Sequence, residues 1–256
     1  MTPARTITAL DVARELVLVG FAAAVYGGVR AVTEGSVAQA VANAEAVYRI
    51  ERTLGIAWES AAQSLIVGSE TLVTLANWVY IWGHWPVIIA AALFLYTHRP
   101  VHYRVLRNAM IASGLIGFVF FYVVPTAPPR LAGLGLTDTV LEQSHSYRAL
   151  QPPSVTNQYA AMPSLHFGWN LLVGIVLFTA FACLAVRVFA VAMPIAMGFA
   201  VVATANHFVL DVAAGLLVVA LGLALALALE RRRPDLDEAP GATQNPNNRE
   251  LRPRLH

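Results

Sequence analysis

The sequence predicts an all-α, polytopic membrane protein with six transmembrane helices packed in a bundle. Of its 256 residues, 57% are hydrophobic and only 12% are charged, and the mean hydropathy is +0.61. A soluble domain of this size carries about a quarter charged residues. Several apolar stretches also reach the ~20 residues that a helix needs to cross a bilayer.

The charged residues exclude several classes of function. All basic side chains are arginines, so a mechanism that needs a lysine, such as a Schiff base, is excluded. The sequence has no basic stripe with interleaved aromatic residues, and we expect no nucleic-acid partner. The single cysteine, Cys183, lies in an apolar run, where we expect a buried and inert thiol.

The two ends of the chain are predicted to differ in character. Residues 1–35 contain a polar lead and a first membrane helix, about Ala13 to Val32. Asp11 and Glu15 lie where a signal peptide would be basic, which argues against a cleaved signal. Residues 231–256 follow an arginine cluster and are rich in proline and asparagine, so we expect a polar, disordered tail in the cytoplasm.

Residues 36–68 form an amphipathic segment that is too polar to span the bilayer. We expect this segment to lie along the membrane interface. Glu51 and Arg52 within it are interpreted as a surface ion pair rather than as site residues.

Residues 69–230 are predicted to form the membrane-embedded catalytic core. A basic hinge, His98 to Arg107, separates its first two spans, and Asn206 is expected to be the N-cap of the last. The predicted spans are about Leu72 to Thr97, Ala109 to Val124, Pro163 to Ala185, Val188 to Thr204 and His207 to Leu229.

Two short stretches at the borders of these spans carry the best candidates for a chemical site. A carboxylate within a long apolar run, such as Asp211, costs roughly 2.5–3.5 kcal/mol to keep in a membrane on insertion scales, so it usually has a partner or a task. His207 lies four residues earlier, which places it one helical turn away on the same face. His166, near the start of another span, is expected to join them.

The arginines predict the orientation of the bundle. Clusters at Arg99 to Arg107 and at Arg231 to Arg233 favour a multi-pass protein of the cell membrane with both termini in the cytoplasm. The candidate histidines and the proline-rich turn Pro125 to Arg130 then lie at the extracytoplasmic face. The following loop, Leu131 to Asn157, is long enough to cover a site.

This arrangement of side chains suits a phosphate group. Helix N-termini near Ser164 and Asn206 would direct free N–H groups to the same region. Arg130 and Arg148 would add planar guanidinium donors. His207 would then attack phosphorus, Asp211 would orient His207, and His166 would act as acid and base.

A polar face on the second predicted span adds three candidate substrate contacts. Asn77, Tyr80 and His84 follow one another at helical spacing and share one side of the helix. Hydrogen bonding to a neighbouring helix is an equally good reading of Asn77 and His84. We expect no metal and no cofactor, a lipid substrate within the membrane, and we assign no oligomeric state.

The stretches Met162-Pro-Ser-Leu-His166 and Ala205-Asn-His-Phe-Val-Leu-Asp211 resemble the second and third signature motifs of the type 2 phosphatidic acid phosphatase superfamily. The resemblance implies a six-helix membrane core and a phosphohistidine at His207, with Asp211 as its partner and His166 as the acid and base. Leu165 replaces the usual glycine, Ala200 and Val201 replace Ser-Arg, and the lysine of the first motif is absent. This variant pattern is similar to the branch that contains inositol phosphorylceramide synthases and related inositol phosphotransferases.

The sequence therefore predicts an integral membrane phosphotransferase or phosphatase that acts on a lipid-linked phosphate. An inositol phosphotransferase-like activity is the favoured prediction. A phosphatase of phosphatidic acid or polyprenyl phosphate is the alternative. Without the lysine and the Ser-Arg pair of the usual motifs, fewer cations surround the phosphate. This favours a phosphodiester, which carries one charge, over a monoester dianion. Two other interpretations are less favoured. One is a transporter or proton relay that uses His84, His207 and Asp211. The other is a metal-dependent hydrolase with His166, His207 and Asp211 as ligands.

Overall fold

The computed structural model describes residues 37–140 and 158–232, together with four isolated positions before them. Arg148, most of the first predicted span and nearly all of the predicted tail lie outside the described residues. Within the described ranges the chain is all-helical, as predicted, and the only strand-like pairing is an isolated bridge between Thr126 and Ala160.

Eight α-helices make up the described chain. A 3₁₀ turn, Pro129–Leu131, follows the fifth. The helices are α1 (Val37–Leu54), α2 (Glu59–Val67), α3 (Glu70–Trp82), α4 (Trp85–His98), α5 (Pro100–Val123), α6 (Leu165–Ala180), α7 (Leu184–Ala203) and α8 (Val209–Arg231).

Three of the described helices, α5, α7 and α8, are long and apolar enough to cross a membrane. Helices α3 and α4 pass the same test together as one span that is bent by 44°. Helix α6 is apolar but has only 16 residues. The six-span bundle thus remains a prediction beyond these three or four spans.

The second predicted span, drawn as one helix from Leu72 to Thr97, is instead broken at Gly83 and His84. A Cβ atom at Gly83 would lie 2.3 Å from the backbone carbonyl oxygen of Val79 and 2.1 Å from the flexible end of Met193 in α7, and the backbone contact is the one that favours glycine. Pro86 lies in the first turn of α4, where a missing N–H is tolerated. Close packing on one side and a proline on the other explain the break.

The predicted basic hinge, His98 to Arg107, is also shorter than expected. Helix α5 begins at Pro100, because proline suits the first turn of a helix, and only Arg99 separates α4 from α5. Two arginines of this stretch contact the ends of other helices. Arg99 donates to the carbonyl of Ala180, and Arg104 pairs with Glu230 at the end of α8.

The main core lies where α4 to α8 pack together, and glycines bring the backbones of α5, α6 and α8 into contact. A Cβ atom at Gly222 of α8 would lie 2.7 Å from the carbonyl oxygen of Ala109 in α5. One at Gly215 would lie 2.4 Å from the carbonyl oxygen of Ser164, just before α6. Small residues at helix contacts are typical of membrane bundles, where close packing replaces hydrophobic driving force.

Helix α1 covers the end of the bundle at which α8 begins. Its Ala40, Ala44 and Val47 pack against a cluster that includes Phe208. The Ala40 carbonyl also accepts a hydrogen bond from Ala127, which fixes the proline-rich turn beside α1. These contacts place the polar side chains of α1 and α2 next to the candidate site.

Candidate active site

His207 lies in the tight turn that joins α7 to α8. Two consecutive backbone N–H groups, of Asn206 and His207, donate to the carbonyl of Val201, and Ala205 adopts a left-handed conformation with φ of 56°. The helix then begins at Val209, with Phe208 as its N-cap. The expectation that Asn206 caps this helix is wrong, because the turn needs two further residues; its amide instead donates to the Thr204 hydroxyl.

The His207 ring is held by two acceptors on the same nitrogen. Its Nδ1 atom lies 2.8 Å from the Ala161 carbonyl oxygen and 3.5 Å from the Asp211 Oδ2 atom. A carbonyl can only accept, so Nδ1 carries the proton in the neutral ring. The other ring nitrogen, Nε2, therefore keeps a free lone pair. The Ala161 carbonyl was not foreseen, because a main-chain acceptor leaves no trace in the side-chain pattern.

Asp211 is fully buried and links three parts of the site. Its Oδ2 atom accepts from the Phe208 N–H at 2.8 Å, and its carbonyl accepts from the Ser164 N–H at 2.9 Å. The second bond ties the start of α8 to the start of α6. Asp211 thus ties the start of α6, which carries His166, to the start of α8, which directly follows His207.

His166 lies in the first turn of α6, which Ser164 caps. The Ser164 hydroxyl accepts from the Phe167 N–H, and this supports the prediction that a helix opens here. The centroids of the His166 and His207 rings are 6.1 Å apart. The structure therefore brings His166 together with His207 and Asp211 from two separate stretches of chain.

Aromatic side chains from the broken span hold the His166 ring. Tyr80 stacks on it with centroids 4.5 Å apart, and His84 stacks on it at 4.1 Å. His84 is itself covered by Trp169 and lies 3.3 Å from the Asn170 amide nitrogen, which also donates to the His166 carbonyl. Tyr80 and His84 thus lie at the candidate site, and their contacts there are with protein side chains.

Asn77, the third residue of that face, serves the segment after the proline-rich turn. Its amide nitrogen donates to the Thr139 carbonyl at 2.8 Å, and its amide oxygen accepts from the Thr139 hydroxyl. Gln63 of α2 holds Thr137 in the same way, through its own amide. Asn77 is buried by these contacts, and substrate binding by it remains a prediction.

Arg130 lies in the 3₁₀ turn and is paired rather than free. Its Nε atom lies 2.7 Å from the Asp138 Oδ2 atom, and both side chains are largely buried. Its backbone N–H donates to the carbonyl of Ala205 in the α7–α8 turn, which places Arg130 next to that turn. The pairing with an acidic residue was not predicted, and it lowers the net positive charge at this position.

The N-terminus of α8 differs most from expectation. The sequence predicts that its first N–H groups are free for a phosphate, yet three carboxyl groups accept hydrogen bonds from them. Asp211 accepts from Phe208, Glu59 of α2 accepts from Val209 at 3.1 Å, and Glu51 of α1 accepts from Leu210 at 2.7 Å.

The interpretation of Glu51 and Arg52 as a surface ion pair is therefore wrong. Glu51 is fully buried, whereas Arg52 is exposed. Burial raises the pKa of Glu51 to about 8, aided by a hydrogen bond with Glu59 and by the negative charges of Glu59 and Asp211, against the lowering effect of the Leu210 N–H. The sequence could not reveal this contact, since about 160 residues separate Glu51 from its partner.

Cys183 also departs from prediction. It is exposed, and it is the residue that precedes α7 rather than a core residue. The turn it belongs to lies at the end of α6 opposite to His166.

A comparison with protein families gives the class to which this fold and site belong. The family described as the PAP2 superfamily matches residues 45–225, from α1 to α8. The chain therefore belongs to the PAP2 superfamily, whose members are phosphatases and phosphotransferases. Together with the apolar helices, this identifies a membrane protein. No curated protein and no solved structure matches the chain.

Proposed function

We propose that this protein is an integral membrane phosphotransferase or phosphatase that acts on a lipid-linked phosphate through a phosphohistidine at His207. One observation carries the proposal. The His207 Nδ1 atom lies 2.8 Å from the Ala161 carbonyl oxygen and 3.5 Å from Asp211, which leaves Nε2 as the nucleophile, and the His166 ring centroid is 6.1 Å from that of His207.

In the first step the lone pair of His207 Nε2 attacks phosphorus. A P–N bond forms while the P–O bond to the leaving group breaks, and His166 in its protonated form donates a proton to the departing oxygen. The ring of His207 gains positive charge in this step. Asp211 supports that charge, because its carboxylate lies 3.5 Å from the Nδ1–H group.

In the second step neutral His166 takes a proton from water or from an acceptor hydroxyl. The resulting oxygen attacks phosphorus, a new P–O bond forms, and the P–N bond breaks to restore His207. Among the described residues, no group hydrogen-bonds either ring nitrogen of His166, which leaves both for this exchange. Water as the acceptor makes the protein a phosphatase, and inositol makes it a transferase.

The charges around the site favour a phosphodiester substrate. Arg130 already pairs with Asp138, and Glu51, Glu59 and Asp211 occupy the N-terminus of α8. A monoester dianion would meet fewer free cations and more acidic groups than it does in a lysine-containing site. This supports an inositol phosphotransferase-like activity on a phospholipid, at the extracytoplasmic face, ahead of hydrolysis of a lipid phosphate.

The substrate is tested by incubating the purified protein with labelled phospholipids and lipid phosphates, with and without inositol. We expect the label to pass from a phospholipid to inositol. Release of inorganic phosphate from phosphatidic acid or polyprenyl phosphate would select the phosphatase instead. Loss of activity with chelators would favour a metal-dependent hydrolase, and absence of turnover on every phosphate would favour a transporter.

The chemistry is tested by trapping the phosphoenzyme. His207→Ala should form none, whereas His166→Ala should still be phosphorylated by a donor with a good leaving group, because such a group needs little protonation. Asp211→Asn should fold and lose turnover by orders of magnitude. His98→Ala, an exposed histidine at the far end of α4, is the control. Acid-labile label on His207→Ala would overturn the assignment.

A further inference from the structure

The first turn of α8 is held by side chains from two distant helices. Glu59 of α2 and Glu51 of α1 each bind one backbone N–H group of this turn, across 150 and 159 residues of sequence. Both carboxyl groups are buried, with 1% and 0% of their surface exposed. Buried acidic residues are rare unless they have a partner or a task.

We propose that Glu51 and Glu59 are positioning residues for His207 and Asp211, which they hold by clamping the first turn of α8 as a pair that shares one proton. This inference rests on the phosphoryl transfer proposed above.

The clamp acts where a small movement changes the chemistry. His207 directly precedes the N-cap of α8, and Asp211 is the third residue of the helix. The clamped N–H groups belong to Val209 and Leu210, between these two residues. Release of the turn would alter the distance from Asp211 to His207, and it would also loosen the bond from Ser164 to Asp211 that fixes α6.

The shared proton follows from the second oxygen of each group. Each Oε1 atom accepts from α8, but the Oε2 atoms of Glu51 and Glu59 are buried and have no donor among the described residues while both groups are charged. One proton on Glu51 supplies a donor to Glu59. It also removes the repulsion between two carboxylates in a medium of low dielectric constant.

The surroundings of Glu51 keep this proton in place at neutral pH. The groups that act on it are Glu59 from α2 and Asp211 from α8, both acidic, and Arg52 on its own helix is exposed. Its pKa is raised to about 8. An unfolded glutamate has a pKa near 4.5, so between about pH 4.5 and pH 8 the folded protein holds a proton that the unfolded chain lacks. Stability therefore falls as pH rises across this window and levels off above pH 8.

Glutamine substitutions separate a shared proton from simple packing. Glu51→Gln keeps the acceptor for Leu210, and its amide replaces the shared proton as the donor to Glu59. Glu59→Gln keeps one donor and one acceptor between the two side chains in the same way. We expect both single variants to stay within a few degrees of the wild-type melting temperature. In the double variant both amide oxygens accept from α8, so the two NH2 groups face each other and neither finds an acceptor. We therefore expect turnover to fall at least tenfold below either single variant.

The pH profile provides the second measurement, and it needs only a single variant. The wild-type melting temperature should fall from about pH 5 to pH 8 and then level off, and kcat should fall between pH 7 and pH 9. Glu51→Gln should remove most of both falls, since an amide does not ionise. Glu45→Gln, an exposed glutamate on the same helix, should retain the wild-type profile. A double variant as active as the single ones, or a Glu51→Gln profile equal to wild type, would overturn the proposal.

These experiments distinguish a failure of the proposed phosphohistidine chemistry from a failure of the proposed shared proton. If His207→Ala kept its turnover, the phosphohistidine chemistry would be wrong. The melting temperatures of the glutamine variants would still report whether the pair shares a proton.

Discussion

The imidazole of His84 lies flat against that of His166, with ring centroids 4.1 Å apart and an angle of 28° between the planes. Tyr80 stacks on His166 as well, so the ring of the proposed acid and base is held between two aromatic side chains. His84 reaches this position because it lies at the break between α3 and α4. The bend in the span thus supplies one wall of the candidate site.

The stack predicts different effects for two substitutions of His84. His84→Ala should lower kcat by about two- to tenfold, because aromatic pairs contribute about 0.5–1.5 kcal/mol beyond their buried area. His84→Phe should restore most of this loss, since it keeps the stacked ring. Steady-state kinetics on both variants test the idea. If phenylalanine is as damaging as alanine, the ring nitrogens of His84 act on the substrate or on Asn170, and stacking is secondary.

Substitutions of Arg130 and of its partner Asp138 should affect activity differently. Arg130→Lys should lose most activity although the charge is kept, because an ammonium group cannot bind Asp138 and a phosphate oxygen with one planar fork. Asp138→Asn should change KM more than kcat, because the arginine remains but its partner is neutral. Near-normal kcat/KM in Arg130→Lys would reduce Arg130 to a residue that stabilises the proline-rich turn.

The close approach of α8 to Ser164 predicts that Gly215→Ala is damaging. The added Cβ atom would lie 2.4 Å from the Ser164 carbonyl oxygen, so the helices must move apart. We expect a loss of about 1–3 kcal/mol in unfolding free energy and a fall in kcat, since Ser164 also binds Asp211. Gly68→Ala, where the added Cβ meets no atom within 4 Å, is the matched control. Equal melting temperatures for the two variants would contradict the close contact.

The native cysteine makes the orientation testable in one chain. Cys183 is exposed at the end of α6 that we expect to face the cytoplasm, so an impermeant thiol reagent should not label it in intact cells. Leu131→Cys, made together with Cys183→Ser, places an exposed thiol at the other end, and the same reagent should label it. The opposite labelling pattern would reverse the topology and would require a substrate that approaches from the cytoplasm.

Local patterns in the sequence were enough to predict the parts of the fold that depend on neighbouring residues. Hydrophobic length predicts the helices α7 and α8 close to their observed bounds, and the Pro-Ser pair predicts the start of α6 at Ser164. The spacing of His207 and Asp211 predicts their contact, although the contact arises from a turn before the helix and not from two helical positions.

Features that depend on distant contacts could not be predicted. The break at Gly83 lies where Met193 of α7 packs, and one chain segment does not show which helix will pack on it. Glu51 looks like one of several charges on an amphipathic helix until α8 is seen beside it. Asp138 gives no sign of its pairing with Arg130, because both lie in a segment without periodicity.

The bond from the Ala161 carbonyl to His207 has a consequence for how this protein tolerates change. The acceptor belongs to the peptide group, so any side chain at position 161 that fits its buried space leaves the bond in place. Substitution scanning would pass over this position, and variation there would leave the chemistry untouched. Only an exchange of the carbonyl oxygen itself, as in a thioamide introduced by semisynthesis, would reveal how strongly the backbone holds the imidazole.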